Sequence, residues 1–185
     1  MCRYGMTTYK PHYACFNCCK TFKRRLLADI ERGSHQHHEV AIAKCPQCGQ
    51  LMADMGLDFE SPKRNDTKAW QHIRNLYTAG ITFHSCGCSG PGYIPKDHEA
   101  LLAYLEQVKN RYIDHWHFWL HRVEPANDSE RQKDWNKNMQ YLYSVPQNLK
   151  AGTGKKRKID PDKAIDYWAG KIKDVEGRIK ELSEN

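Results

Sequence analysis

Apolar residues recur at steps of three and four over most of the second half of the chain, the spacing of a buried helical stripe. Leu101, Leu105, Val108, Tyr112, Trp116 and Trp119 form one such stripe, opened by the capping candidate Asp97 and ended shortly before Pro125. A second helix is expected to begin around Asn127–Ser129, to bury Trp135, Met139 and Leu142, and to stop at Pro146. A third opens at Asp160-Pro161, with proline in the favoured first helical position, and carries Ile165, Trp168, Ile172, Val175, Ile179 and Leu182. That narrow repeat is also what a coiled-coil seam looks like, although Gly170 and Gly177 would each weaken the helix by about 1 kcal/mol relative to Ala. Earlier in the chain, Asp66 can cap a helix with Ala69, Trp70, Ile73 and Tyr77 on one side, closed by Gly80.

Before Ser61-Pro62 this rhythm is absent and the segments are short. Met1 to Tyr13 is polar and aromatic, either a tail or a first strand. Leu26, Leu27 and Ile30 suit a turn of helix ended by Gly33, and Val40–Lys44 reads as a strand. Ile81-Thr-Phe-His looks like another strand, running into the turn-rich stretch Ser89–Pro95. The class expected is α+β: a small β module followed by an amphipathic helical unit of about three helices. The boundaries read as 1–95 for the β-containing module, 96–146 for a helical hairpin, 147–160 for a basic flexible linker and 161–185 for the C-terminal helix.

The β module carries two cysteine pairs, Cys15-Phe-Asn-Cys18 and Cys45-Pro-Gln-Cys48. Each Cys-x-x-Cys can fold into a tight turn that points both thiolates inward, and two turns supply the four soft ligands that tetrahedral Zn²⁺ prefers. On these residues the chain resembles the zinc-ribbon, or rubredoxin-like, superfamily over roughly residues 10–50. Cys45-Pro46-Gln47-Cys48-Gly49 is similar to a second knuckle of that class, with Gly49 supplying a positive φ. The first knuckle departs from the pattern, because Cys19 and Lys20 stand where glycine is commoner, a departure that favours zinc over iron. The resemblance implies a metal-binding fold with Cys15, Cys18, Cys45 and Cys48 as ligands, and no particular activity.

Composition sharpens this picture. The chain has a mean hydropathy of −0.84 and 28% charged residues, so the core is modest and a metal staple matters to stability. Eight cysteines without an apolar N-terminal run or a membrane-length segment point to a cytoplasmic protein whose thiols bind metal. Net charge is +7, and residues 1–50 hold 8 basic and 3 acidic side chains, a local excess of +5. A basic ribbon favours a polyanion. Lys20, Lys23, Arg24 and Arg25 around Phe22 suit phosphate contacts beside a stacking ring, or else a solvated strand with one core aromatic. Lys155, Lys156, Arg157 and Lys158 add a second basic run within the linker.

Other residues are open to more than one use. His84, Cys86 and Cys88 share one face if their strand is regular. They form either a second zinc site, completed by His98 or by one of His35, His37 and His38, or a set of small packed thiols. Asp114, His117 and His121 line one side of the first long helix; two histidines at i and i+4 can hold a metal, but no Glu completes a His-Glu-x-x-His arrangement, so the side reads as solvated. No acid–base pair, nucleophile–base pair or open catalytic zinc site stands out. The function expected is therefore a zinc-stabilised, non-catalytic module binding RNA or a ribonucleoprotein such as the ribosome. The alternatives are a protein–protein adaptor, dimerising or docking through the C-terminal helix, and an iron or thiol redox protein.

Overall fold

A computed structural model of the chain describes residues 10–23, 43–85, 87–151 and 158–184. Two compact units divide within one helix, between Leu101 and Leu102. Residues 1–9 of the Met1 to Tyr13 stretch, the helical turn expected at Leu26–Ile30, the histidine loop 34–38, the first residues of the Val40–Lys44 strand, Cys86, and Lys155, Lys156 and Arg157 of the basic run lie outside the described residues.

In the first unit, β1 (His12–Cys15), β2 (Lys20–Lys23) and β3 (Ala53–Gly56) form an antiparallel sheet in the order β2-β1-β3. The two-residue period of a strand sorts β1 between two cores. Ala14, with Ala53 and Met55 of β3, packs on Phe59 and Trp70. Tyr13, Cys15 and Phe22 join Cys45 and Met52 on the cysteine side. Trp70 comes from α1 (Thr67–Thr78), whose cap is the expected one: the Asp66 carboxylate accepts from the Ala69 N–H at 3.0 Å, and Gly80 has φ +80°. The helix buries Trp70 and Leu76, whereas Tyr77, expected on the inner side, is 40% exposed.

The segment after α1 departs from expectation. Residues 81–85 are not a regular strand; instead the Phe83 N–H donates to the Met55 carbonyl at 2.8 Å and the Phe83 carbonyl accepts from Asp58 at 3.1 Å. Gly56 permits this approach. At φ +88° a Cβ there would stand 2.5 to 2.6 Å from the Phe83–His84 backbone.

The described residues hold four α-helices where the helical unit was expected to have about three; the additional one is α1. After it come α2 (His98–Leu120), α3 (Asp128–Tyr143) and α4 (Pro161–Ser183). Asp97, Asn127 and Asp160 cap them, accepting respectively from the N–H groups of Ala100, Glu130 and both Asp162 and Lys163. In the second unit, Trp119, Leu142, Val145, Ala164 and Trp168 make a buried cluster flanked by Tyr112, Trp116 and Ile165. The α2 and α4 stripes face inward as their spacing implies. The α3 stripe does not: Leu142 is buried, but Trp135 is 43% and Met139 55% exposed. The helix kinks at Asn138 (φ −116°, ψ 17°), and its inward side is set by Asp134 and Leu142.

Asp134 explains that choice. Its carboxylate binds the Arg122 guanidinium at 2.8 Å and accepts from the Asn138 amide at 2.7 Å, while Arg122 lies 5.4 and 5.2 Å from the Phe118 and Trp119 rings. Burial alone would raise the Asp134 pKa, but the Arg122 and Asn138 hydrogen bonds and the Arg122 charge bring it below its usual value. The margins of the 147–160 stretch are ordered: Gln147–Leu149 is a single 3₁₀ turn, and β4 (Lys150–Ala151) pairs antiparallel with β5 (Lys158–Ile159).

His115 is stacked on Trp168 with centroids 4.3 Å apart, meets Tyr141 edge-on and lies 3.2 Å from the Ser144 hydroxyl. Burial is the main cause that lowers its pKa, with Asp114 opposing and Arg111 assisting. An unfolded chain therefore takes up this proton first, near its ordinary value of about 6.5. The stabilisation is fully present above that pH and is lost as pH falls through it towards the lower folded value. Replacing His115 with Gln should shift the urea midpoint, followed by tryptophan fluorescence, more at pH 8 than at pH 5. Equal shifts at both would contradict the assignment.

Candidate metal centre

The first knuckle is the end of a hairpin. Cys15 closes β1 opposite Lys20, and residues 16–19 make the connection. The second is a loop of the same length in which the Gly49 N–H donates to the Cys45 carbonyl at 2.9 Å and the Cys45 N–H to the Gln50 carbonyl at 2.8 Å. The Met52 N–H then reaches the Ala43 carbonyl at 2.8 Å. Both loops turn on a residue with positive φ just after their second cysteine: Gly49 at +73° and, unusually for a side-chain-bearing residue, Cys19 at +50°. The first knuckle thus keeps the geometry of the motif although it lacks the glycine. Cys19 points its side chain away from the other thiols, packing with Phe16 against the Trp70 core.

This folding brings Cys15, Cys18, Cys45 and Cys48 together, all four sulfur atoms lying within 4.8 Å of one another. Cys15 and Cys48 are 3.5 Å apart and Cys45 and Cys18 4.0 Å. A tetrahedral site with metal–sulfur bonds of about 2.3 Å has sulfur edges of about 3.8 Å, between these two values, whereas a disulfide requires about 2.05 Å. Cys15 and Cys45 are buried, and Cys18 and Cys48 half-buried.

The thiols differ in acidity for local reasons. The Gln50 N–H is the largest cause that lowers Cys48 to about 6, with the Asn17 side chain next. Cys18 is pushed up to about 12, first by its hydrogen bond with Cys48 and then by burial. Burial leads in raising Cys15. Cys48 is thus the readiest of the shifted thiols to ionise, whereas burial and hydrogen bonding hold the protons on Cys15 and Cys18. A bound divalent cation would offset these costs and hold its sulfur ligands deprotonated. The residues present therefore fit a metal ion with four sulfur ligands.

The described residues of the other predicted sites form no comparable group. Among the described residues no second cluster of three or more His, Cys, Asp or Glu ligands occurs. His84 is instead placed by Asp54, 3.4 Å from its Nε2, and by Thr82, 2.9 Å from its Nδ1. Cys88 is exposed, as is His98 at the start of α2, and Cys86 lies outside the described residues. Of the proposed polyanion contacts, the Lys20 ammonium donates to the Gln47 side-chain carbonyl at 2.5 Å, and Phe22 is half-buried against the cysteine core. Lys23 and Lys158 are exposed, while Arg24, Arg25, Lys155, Lys156 and Arg157 are outside the described residues.

Sequence reasoning did not anticipate two supports of the centre. Asn17, inside the first knuckle, reaches Cys48. Arg74 of α1 donates to the Phe16 carbonyl at 3.1 Å and lies 5.6 Å from the Phe16 ring, tying helix to knuckle across 58 residues. Arg74 also helps to line a shallow cavity of about 180 Å³ with Phe16, Leu51, Met52 and Tyr77. A local motif carries no signal for a contact so distant in sequence.

The cysteine cluster beside the N-terminal hairpin is consistent with a zinc-ribbon or rubredoxin-like metal-binding module. Comparison of the chain with protein-family models, curated proteins and solved structures finds no match.

Two substitutions separate ligation from geometry. Cys48→Ser should abolish retention of one tightly held metal ion in a chelator competition. Gly49→Ala meets no atom within 4 Å of the new Cβ, so its cost is the positive φ alone. It should keep the metal while losing about 1 kcal/mol of stability.

Proposed function

We propose that this chain is a zinc-stapled, non-catalytic docking module that associates with a second copy of itself through an apolar row on α3. The zinc would be held by Cys15, Cys18, Cys45 and Cys48; four thiolates fill a tetrahedral ion and leave no place for substrate or activated water. A metal–thiolate staple suits a reducing, cytoplasmic setting. Among the described residues no helix is long and apolar enough to cross a membrane.

The observation that carries the docking reading is the exposure of Trp135, Met139 and Tyr143 at 43%, 55% and 74%. They are spaced four apart in sequence, Trp135 before and Met139 and Tyr143 after the Asn138 kink, and aromatic and Met side chains are the usual anchors of protein interfaces. Gln132, Asn136 and Gln140 beside them are exposed and uncharged, and Arg131, one step earlier on the same row, is paired with Asp128 at 2.7 Å, so a symmetric crossing brings few unpaired charges together. The C-terminal helix is a poorer choice. Trp168, Val175 and Leu182 of its seam are buried within the single chain.

RNA or a ribonucleoprotein is the competing partner, supported by the net charge of +7 and the basic runs. Phe22, the proposed stacking ring, is engaged in the cysteine core, and Lys20 already has a partner. Sedimentation velocity of the zinc-loaded chain from about 1 to 100 μM, with and without Trp135→Ser, Met139→Ser and Tyr143→Ser together, distinguishes the two. Docking through α3 predicts concentration-dependent association in the parent that the triple variant loses with unchanged circular dichroism. A parent monomeric throughout, yet binding RNA with an affinity that falls steeply with salt, would overturn it in favour of the polyanion reading.

A further inference from the structure

His117 and His121 lie one turn apart at the C-terminal end of α2, outside the thiolate centre and outside the α3 row. Both are exposed, and their rings are nearly parallel, with centroids 6.0 Å apart and 21° between planes. The Nδ1 atom of His121 is 2.9 Å from the His117 main-chain carbonyl oxygen. A carbonyl oxygen only accepts, so Nδ1 carries the proton and the Nε2 lone pair of His121 points away from this bond. A hydrogen bond of this kind orients metal-ligating imidazoles and sets their tautomer.

From these features we propose that His117 and His121 form a two-imidazole chelate for a divalent transition ion of the Ni²⁺, Cu²⁺ or Zn²⁺ class, separate from the four-cysteine site. Water completes the coordination, which makes the ion exchangeable. Ligation requires both rings to turn as well as to approach, because the in-plane lone pairs of nearly parallel stacked rings do not converge. Metal–nitrogen bonds of about 2.1 Å set the ion roughly 3.2 Å from each ring centre, so cis ligation at 90–110° needs centroids about 4.5–5.2 Å apart. The rings must close by roughly 1 Å from their present 6.0 Å, and both are exposed enough to move. The position is also favourable for positive charge, because the last turn of a helix presents its negative dipole end. Arg122, the nearest basic residue in sequence, has its guanidinium bound to Asp134 and Glu124.

The test uses the full chain with its cysteine centre loaded with zinc. His35, His37 and His38 are replaced by Gln, so that the histidine tract does not compete. Ni²⁺ is titrated by calorimetry, and broadening of the imidazole proton resonances by the paramagnetic ion is followed by NMR. The proposal expects one Ni²⁺ per chain and selective broadening of the His117 and His121 signals. His117→Ala and His121→Ala should each weaken binding roughly tenfold or more with an unchanged circular dichroism spectrum. Absence of stoichiometric Ni²⁺ binding in the Gln background, or an affinity that either alanine variant leaves unchanged, would overturn it.

Discussion

Four sulfur atoms held within 4.8 Å of one another are the constraint on which the first unit depends. Cys15 and Cys48 are 33 residues apart in sequence, and Cys18 and Cys45 are 27. Joining them closes a long loop in a unit whose sheet has only three strands of four residues each. Strands this short are at the lower end of what globular proteins use and contribute little by themselves. The hydrophobic layers on the sheet's two faces are correspondingly small. One of them is built on the cysteines themselves, with Tyr13, Phe22 and Met52 packed around the thiols. Metal affinity and folding would therefore be coupled: a cation held by these thiolates would also fix the ends of the hairpins that the sheet and α1 rest upon.

The second unit is organised by different means. Trp119 and Trp168 pack with Leu142, Val145 and Ala164 in its core, and on the inward side of α3 Leu142 is accompanied by Asp134, which pairs with Arg122. Leaving either charge unpaired there is costly, whereas an exposed Trp or Met loses only the benefit of burial. That balance orients α3 so that its amphipathic reading fails. The side chains left outside, Trp135, Met139 and Tyr143, are the ones on which association is proposed to rest.

The legible parts of the sequence were those governed by local spacing. The paired cysteines, the caps at Asp66, Asp97, Asn127 and Asp160, and the inward stripes of α2 and α4 all depend on residues within a turn or two of each other. The missed parts depend on contacts distant in sequence or on a local departure from a motif. The outward rotation of α3 follows from Arg122 and Asp134, twelve residues apart. The irregular course of 81–85 follows from bonds to Met55 and Asp58, which no alternation pattern encodes. Cys19 in a left-handed conformation shows that a knuckle keeps its shape without the glycine that signals it. Phe22 beside basic residues is compatible in sequence with a core or a stacking role, and only packing separates them.

We propose that the four clustered thiols of this chain are the ligands of one structural zinc ion. Metal analysis of the purified full chain, combined with a count of thiols protected from alkylation before and after a strong chelator, tests it most directly. Zinc ligation predicts one zinc per chain, no visible absorption, and protection of Cys15, Cys18, Cys45 and Cys48 that chelation removes together. Stoichiometric iron with visible absorption, or a metal-free chain with these cysteines paired as disulfides, would contradict it.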